Sequence, residues 1–374
     1  MKLSLPMPVD VDAIPSPSLL VFEAAVARNL DRMIAIAGAP ERLRPHVKTH
    51  KMPELVRRAE AAGVRKHKCA TLSEAAMIAR AGGRDVLISY PLVGPNPSLL
   101  ADLARAFPEV VFRATVDGVE SAAALDAAFD RVGRPLPVLM DLNVGMGRTG
   151  VLFGREAREL CSFLADLPNL SLDGLHAYDG HLGLPDLAER TEAAHAVEDQ
   201  VLMLRDQLRS WGFPVPRIVL GGTPTFPIHA TLDEPDIELS PGTCLLHDAG
   251  YATKFPDLPF EPAAAVLTRV VSRPARGRVC LDLGHKAVAG DPPAGSRVFL
   301  PEMPDATFPV HSEEHLVAVS DRADAQAIGA ALLAIPTHIC PTCALHREAV
   351  VIGPDGRVTA RWPVAARDRD VVFG

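Results

Sequence analysis

The chain has 374 residues, 48% hydrophobic and 22% charged, with 38 Lys and Arg against 46 Asp and Glu for a net charge of -8. That length exceeds what one ordinary core supports, so two domains or a large barrel with an addition are expected. The acidic balance speaks against a nucleic-acid surface, and no run approaches the roughly 18 apolar residues of a membrane span, the longest being AIGAALLAIP at 327–336. The N-terminal stretch MKLSLPMPVDVDAIPSPS carries one Lys and no apolar core. It does not resemble a secretory leader, and a cytoplasmic location is the expectation. Six cysteines without a regular framework read as reduced thiols. Cys69, Cys161 and Cys280 sit in apolar runs and are expected in the core.

In chain order, SLLVFEA near the N-terminus reads as a first, extra strand. Eight further strand candidates follow, at 44–48, 66–70, 85–90, 110–117, 138–144, 170–178, 217–222 and 236–242, separated by Ala-rich amphipathic stretches. In one of these, SEAAMIARAG, Ser73 is placed to start a helix and Gly82 to end it. Eight strand and helix units predict a closed (β/α)8 barrel, an α/β fold, with connections short enough for a parallel sheet. After residue 255 the texture changes to strand-like runs broken by Gly and Pro, with GPDGR at 353–357 a strong turn signal. The expected organisation is a barrel over 22–254 and a mostly β domain over 255–374, to which the N-terminal strand within 1–21 is assigned.

In such a barrel chemistry sits at the C-terminal ends of the strands. Lys48 ends the first candidate, in the segment RPHVKTHK, where Arg44, His46, His50 and Lys51 crowd the same few residues. Neighbouring like charges favour a neutral amine, which Schiff-base chemistry needs, although most lysines are simply surface groups. Arg148 follows the glycine turn of MDLNVGMGR, which lets backbone approach a ligand. HAYDGH at 176–181 closes another strand with two histidines, Tyr178 and an acid. LGGTPT at 220–225 is a workable phosphate cradle of backbone N–H groups with a helix start behind it, but it lacks nucleotide-loop spacing. THICPTCALH holds His338, Cys340, Cys343 and His346, imidazole and thiol groups suited to a zinc-type ion. From the residues alone, a closed four-ligand site and a redox dithiol both stay open there.

Taken together and in this order, RPHVKTHK, ATLSEAAMIARAG, MDLNVGMGRTGV, AYDGH, LGGTPT, ELSPGT, LDLGHKA, SEEH and PTHICPT resemble the D-threonine aldolase and D-serine dehydratase family of pyridoxal phosphate enzymes. That family has an alanine-racemase-like fold, a barrel followed by a β domain. The resemblance runs from about residue 15 to 370. It implies that Lys48 forms the Schiff base with pyridoxal 5'-phosphate, and that Arg148 lies near the phenolate oxygen of the cofactor ring. It implies further that Tyr178 belongs to the ring pocket and that Gly222, Thr223, Gly242 and Thr243 form the phosphate-binding turns. His338 and Cys340 match the pair that holds a divalent metal (Mn, Zn, Mg or Co) with open positions for water and the substrate hydroxyl.

The implied substrate is a small D-β-hydroxy-α-amino acid, and the implied assembly a homodimer without nucleic-acid or membrane partners. Retro-aldol cleavage to glycine and an aldehyde is the expected reaction. A D-serine or 3-hydroxyaspartate dehydratase is the alternative, since a thiolate ligand is associated with that branch. Aldolases of the family tend to carry a histidine six residues after the pocket tyrosine; here that position is Leu184, and His181 is expected to serve as the base instead. A racemase has no evident use for His338 and Cys340, and a non-enzymatic cofactor-binding protein of the single-barrel type has none for residues 255–374.

Overall fold

Parallel strands need crossover connections, and the alternating texture of the first two-thirds of the chain supplies them. In the computed structural model, which describes residues 3–371, the chain divides into two compact units. One comprises Ile34–Lys48, Pro53–Gly242 and the segment from Asp368; the other comprises the chain up to Met33, Thr49–Met52 and Thr243–Arg367. The first strand, β1 (Ser18–Phe22), belongs to the second unit. The first unit is built on β2 (Lys66–Cys69), β3 (Asp85–Ile88), β4 (Val111–Val116), β5 (Leu136–Asp141), β6 (Leu170–Ala177), β7 (Ile218–Leu220) and β8 (Ile237–Leu239), all parallel and hydrogen-bonded in chain order.

Among the described residues seven strands form in this sheet where eight were expected, and the difference lies at RPHVK. Its residues bond to both edges of the curled sheet: Arg44 N–H to Leu239 O, Val47 N–H to Lys68 O, and Lys68 N–H to Pro45 O, all at 2.8–2.9 Å. Pro45 has no N–H to give, so the ladder is interrupted and only isolated bridges remain, Leu43 with Leu239 and His46 with Lys68. The segment still spans the gap between β2 and β8. Inside the sheet Leu87, Leu139 and Val219, from β3, β5 and β7, form one buried cluster, the layer from alternate strands that fills a barrel of this type. Gly174 in β6 has φ +139°, and a Cβ there would lie 2.1 Å from Arg217 O. The strand is bulged at this point.

Near the strand starts, charges from around the ring pair with one another. Arg44, fully buried, meets Asp85 at 2.6 Å and Glu238 at 2.5 Å; Lys66 and Arg217 also reach Glu238; Arg113 bridges Asp85 and Asp173. The helices follow local sequence rules with one correction. Helix Leu72–Arg80 is capped by Thr71, whose hydroxyl accepts from Glu74 N–H, and Ser73 lies inside it. Thr71 has the extended backbone an N-cap needs, whereas Ser73 is already helical.

In the second unit β1 pairs in parallel with β15 (Glu348–Ile352) and antiparallel with β9 (Ala264–Ala275). Around them lie β10 (Arg278–Leu281), β11 (Val298–Phe299), β12 (Thr307–His311), β13 (Leu316–Val319), β14 (Ala331–Pro336) and β16 (Val358–Pro363), in a mostly antiparallel sheet. Val266, Leu281, Leu316 and Leu332 pack in its core. The GPDGR turn joins β15 to β16. Cys69 and Cys161 are buried as expected, but Cys280, in β10, is only half-buried. Among the described residues no helix is long and apolar enough to cross a membrane.

Candidate active site

Beyond the C-terminal ends of β2, β3, β5 and β6 lies a cavity of about 600 Å³. Lys48, His46, Lys68, Arg148, His176 and Tyr178 line it, together with the apolar lip Tyr90, Pro91 and Val93. Lys48 is half-buried, and its backbone N–H donates to His46 Nδ1 at 3.2 Å, which fixes the approach to the cavity. Arg148 rides on a turn whose return depends on Gly150: φ is +103°, and a Cβ would lie 2.4 Å from Asn143 N. Asn143 Oδ1 accepts from the N–H groups of Gly145 and Gly147 and braces the same turn. The Tyr178 ring gathers three cations, with Arg148 Cζ, Lys48 Nζ and Lys68 Nζ at 5.1, 5.4 and 5.6 Å from its centroid.

Of the basic crowd that its sequence neighbours predicted around Lys48, only His46 lines the cavity. Arg44 is spent on carboxylates near the strand starts. His50 Nδ1 accepts from Met52 N–H. Lys51, in a left-handed conformation with φ +54°, reaches the Ala366 carbonyl; both residues belong to the other unit. Besides Arg148, the cation that shares the cavity with Lys48 is Lys68, twenty residues on and 2% exposed. Its Nζ stands 3.5 Å from His176 Nε2, and His176 Nδ1 is 2.7 Å from Asp141 Oδ1. Burial and then the charge of Lys48 push the Lys68 amine down to about 7. Burial also lowers His176, against the pull of Asp141. At Asp141 burial pushes upward, and the hydrogen bond and charge of His176, the Thr149 hydrogen bond and the charge of Lys68 together outweigh it.

A lysine lowered from 10.5 to about 7 costs the fold stability wherever the unfolded chain is protonated and the folded one resists it. The penalty is full below pH 7 and vanishes as pH rises toward 10.5. Lys68→Met should therefore melt at higher temperature than the parent at pH 6, with the difference closing by pH 10. Thermal melts at the two pH values check this; a variant less stable at pH 6 than at pH 10 relative to the parent contradicts it.

Tyr178 connects the cavity to the glycine turn, since a Cβ on Gly222 would lie 3.1 Å from Tyr178 Cε2. The second turn joins the first through Gly242 N–H and Thr223 Oγ1 at 3.1 Å. The helix after LGGTPT is the single turn Phe226–His229, so a phosphate cradle here rests on the N–H groups of the turn. His181 is exposed and packs over Gly145, where a Cβ would lie 2.9 Å from its Nε2. Thr243 belongs to the β-rich unit, and its hydroxyl is 3.7 Å from Cys340 Sγ.

In that unit His338 and Cys340 hydrogen-bond to each other, and His338 Nδ1 is held by Asp291 Oδ2 at 2.5 Å. Cys340 Sγ also meets Thr49 Oγ1 at 3.2 Å. His346 turns away, its Nε2 donating to Ala287 O at 2.8 Å, and Cys343 is buried in helix Ile339–Leu345. Among the described residues no three His, Cys, Asp or Glu side chains are set to hold an ion. The pair with its carboxylate brace fits an ion that completes its coordination from solvent or substrate, because Asp291 fixes the ring orientation a ligating histidine needs. The cavity, with three cations and no carboxylate among its described lining residues, fits an anionic, aromatic cofactor.

A curled parallel sheet with a lysine-bearing cavity at its strand ends, followed by a mostly β unit, is the alanine-racemase-like fold. The family model for the N-terminal domain of alanine racemase matches residues 21–248, and that for a putative serine dehydratase domain matches residues 263–352. The chain is 33% identical to a D-threonine aldolase of Arthrobacter over 95% of its length and 93% of the relative. It is 29% identical to a 3-hydroxy-D-aspartate aldolase of Paracoccus denitrificans, covering 96% and 94% of the two chains. The crystal structure of a D-threonine aldolase from Filomicrobium marinum superposes with a TM-score of 0.88 at 29% identity, covering 98% of this chain and 99% of that one. The chain belongs to the D-threonine aldolase and D-serine dehydratase family of pyridoxal phosphate-dependent lyases.

Proposed function

We propose that the protein cleaves a D-β-hydroxy-α-amino acid to glycine and an aldehyde, using pyridoxal phosphate and a divalent metal. The observation that carries this reading is the match to a D-threonine aldolase over 95% of the chain, together with a lysine cavity whose cations complement an anionic cofactor. Pyridoxal phosphate supplies an electron sink at Cα and a metal ion supplies a Lewis acid. Lys48 would provide the amine that holds the cofactor aldehyde. Arg148 would lie near the phenolate oxygen of the ring, and Tyr178 would pack against the ring in the pocket. Gly222, Thr223, Gly242 and Thr243 are assigned to the phosphate, the first three through linked backbone turns. His338 and Cys340 are assigned to the metal, with Asp291 as the group that orients His338. His181 is the base proposed to take the proton of the β-hydroxyl. A homodimer is part of the same reading.

A dehydratase giving a keto acid and ammonia is the second reading, favoured by the Cys340 thiol and by the family model matched over 263–352. Both readings need the metal pair. Cys340→Ala should keep the visible absorbance of the bound cofactor while product release falls at least about 100-fold and no longer responds to added divalent metal. Asp291→Asn should weaken the metal response by about 10–100-fold with the same cofactor content. Metal titrations of the purified variants read this out, and an unchanged response in Cys340→Ala would remove the metal assignment.

A further inference from the structure

Behind the glycine turn lies a buried charge cluster that the readings above leave unused. His229, at the end of the short helix after the turn, is fully buried. Its Nε2 is 2.7 Å from Asp179 Oδ2 and its Nδ1 2.6 Å from Glu198 Oε1. With a carboxylate on each ring nitrogen, both nitrogens are donors and the ring is an imidazolium. Asp179 and Glu198 are themselves buried. The other oxygen of Glu198 is 2.6 Å from His195 Nδ1 at the surface. The other oxygen of Asp179 accepts from Thr225 Oγ1 at 2.9 Å, and Thr225 Oγ1 accepts from Gly222 N–H at 3.1 Å. The imidazole also packs directly under the turn: Gly221 has φ +83°, and a Cβ there would lie 2.6 Å from His229 Cδ2. Asp179 follows Tyr178 in the chain, so one anchor serves the ring-pocket tyrosine and the turn together.

Two carboxylates buried behind a turn that binds a phosphate would repel it. A single cation fixed between them reduces that field and locks the geometry of the turn in the same contact. We propose that His229, with Asp179, Glu198 and Thr225, is a positioning device that shapes the Gly221–Gly222–Thr223 turn for the phosphate group of the cofactor. This rests on the pyridoxal phosphate reading given above. His229 acts through the turn and through the charge it balances, and touches neither substrate nor reacting atoms.

The consequence is selective for phosphate. Losing the imidazolium should weaken binding of pyridoxal phosphate and spare pyridoxal, which carries the same aldehyde and ring without the phosphate. His229→Gln and Thr225→Val are the variants to compare with the parent. The first removes the charge and the second only the hydroxyl that ties Asp179 to Gly222. Titration of each purified full-length protein with the two aldehydes, followed by absorbance, gives the ratio of their affinities. We expect pyridoxal phosphate affinity to fall about tenfold or more in both variants, the scale of a lost charge-assisted hydrogen bond, while pyridoxal affinity stays within about threefold. Equal losses for both aldehydes, or no loss, would overturn the proposal and reduce His229 to support of the fold. Thr225→Val, close to isosteric, decides the matter by the same criterion if His229→Gln does not fold. A parent that binds neither aldehyde would overturn the cofactor reading itself, an outcome distinct from an unchanged ratio.

Discussion

Lys48→Ala is expected to abolish the visible absorbance of bound pyridoxal phosphate and to lower turnover by more than about 1000-fold, the scale seen when a covalent group is lost. The cavity makes this a sharp test because it holds two lysines. Lys48 and Lys68 stand within 5.4 and 5.6 Å of the same Tyr178 ring, and Lys68 is the one whose amine burial pushes down to about 7. Amine availability alone would make Lys68 a rival for the cofactor aldehyde. Placement argues for Lys48: it is half-buried at the end of the bridging segment, whereas Lys68 lies within β2 and is engaged with His176. Borohydride reduction of the loaded protein followed by peptide mapping should put the cofactor mass on the peptide containing Lys48. Lys68→Met should retain the absorbance. Cofactor found on Lys68 would reverse the assignment.

The largest expected effect on stability is at Glu238, far in sequence from Arg44 but its partner in closing the barrel. The carboxylate is 5% exposed and holds Arg44, Lys66 and Arg217. Burial pushes its pKa up, but the charge and hydrogen bond of Arg44, followed by those of Lys66, bring it down to about 2 from 4.5. A depressed carboxylate stabilises the fold above its unfolded pKa, and that contribution is lost as pH falls through the folded value. Glu238→Gln keeps the shape and leaves the buried Arg44 with the Asp85 carboxylate and the His67 carbonyl. It should cost about 3 kcal/mol at pH 7, and the gap to the parent should close as pH falls from 4.5 toward 2. Denaturant melts across that range measure it. A cost below about 1 kcal/mol at pH 7, the level of an exposed pair, would contradict a buried, fold-closing role.

Most of the barrel is legible in the sequence because its strands are buried on both faces and separated by amphipathic crossovers, a pattern that local reading detects. RPHVK was harder. Its spacing is that of a strand, but Pro45 breaks the ladder and leaves a bridging segment bonded to β2 and β8. The site divides in the same way. Lys48, Arg148 and Tyr178 sit at strand ends within marked motifs, and all three line one cavity. Lys68 lies outside the marked motifs, although KHKC carries a signal: two lysines of one parity in a four-residue strand of a closed sheet must both point somewhere buried. Lys66 finds Glu238, and Lys68 turns into the cavity. Arg44 and His229 were beyond local reading, since their partners Glu238, Asp85, Asp179 and Glu198 lie 31 to 194 residues away. Only the closed ring brings them together.

The most direct test of the central claim is product analysis on the purified protein loaded with pyridoxal phosphate and a divalent metal, given D-threonine and D-serine in parallel. The proposed function predicts glycine and acetaldehyde from D-threonine in equal amounts, with no ammonia. A keto acid and an equal amount of ammonia from either substrate, without glycine, would contradict it and make the protein a dehydratase.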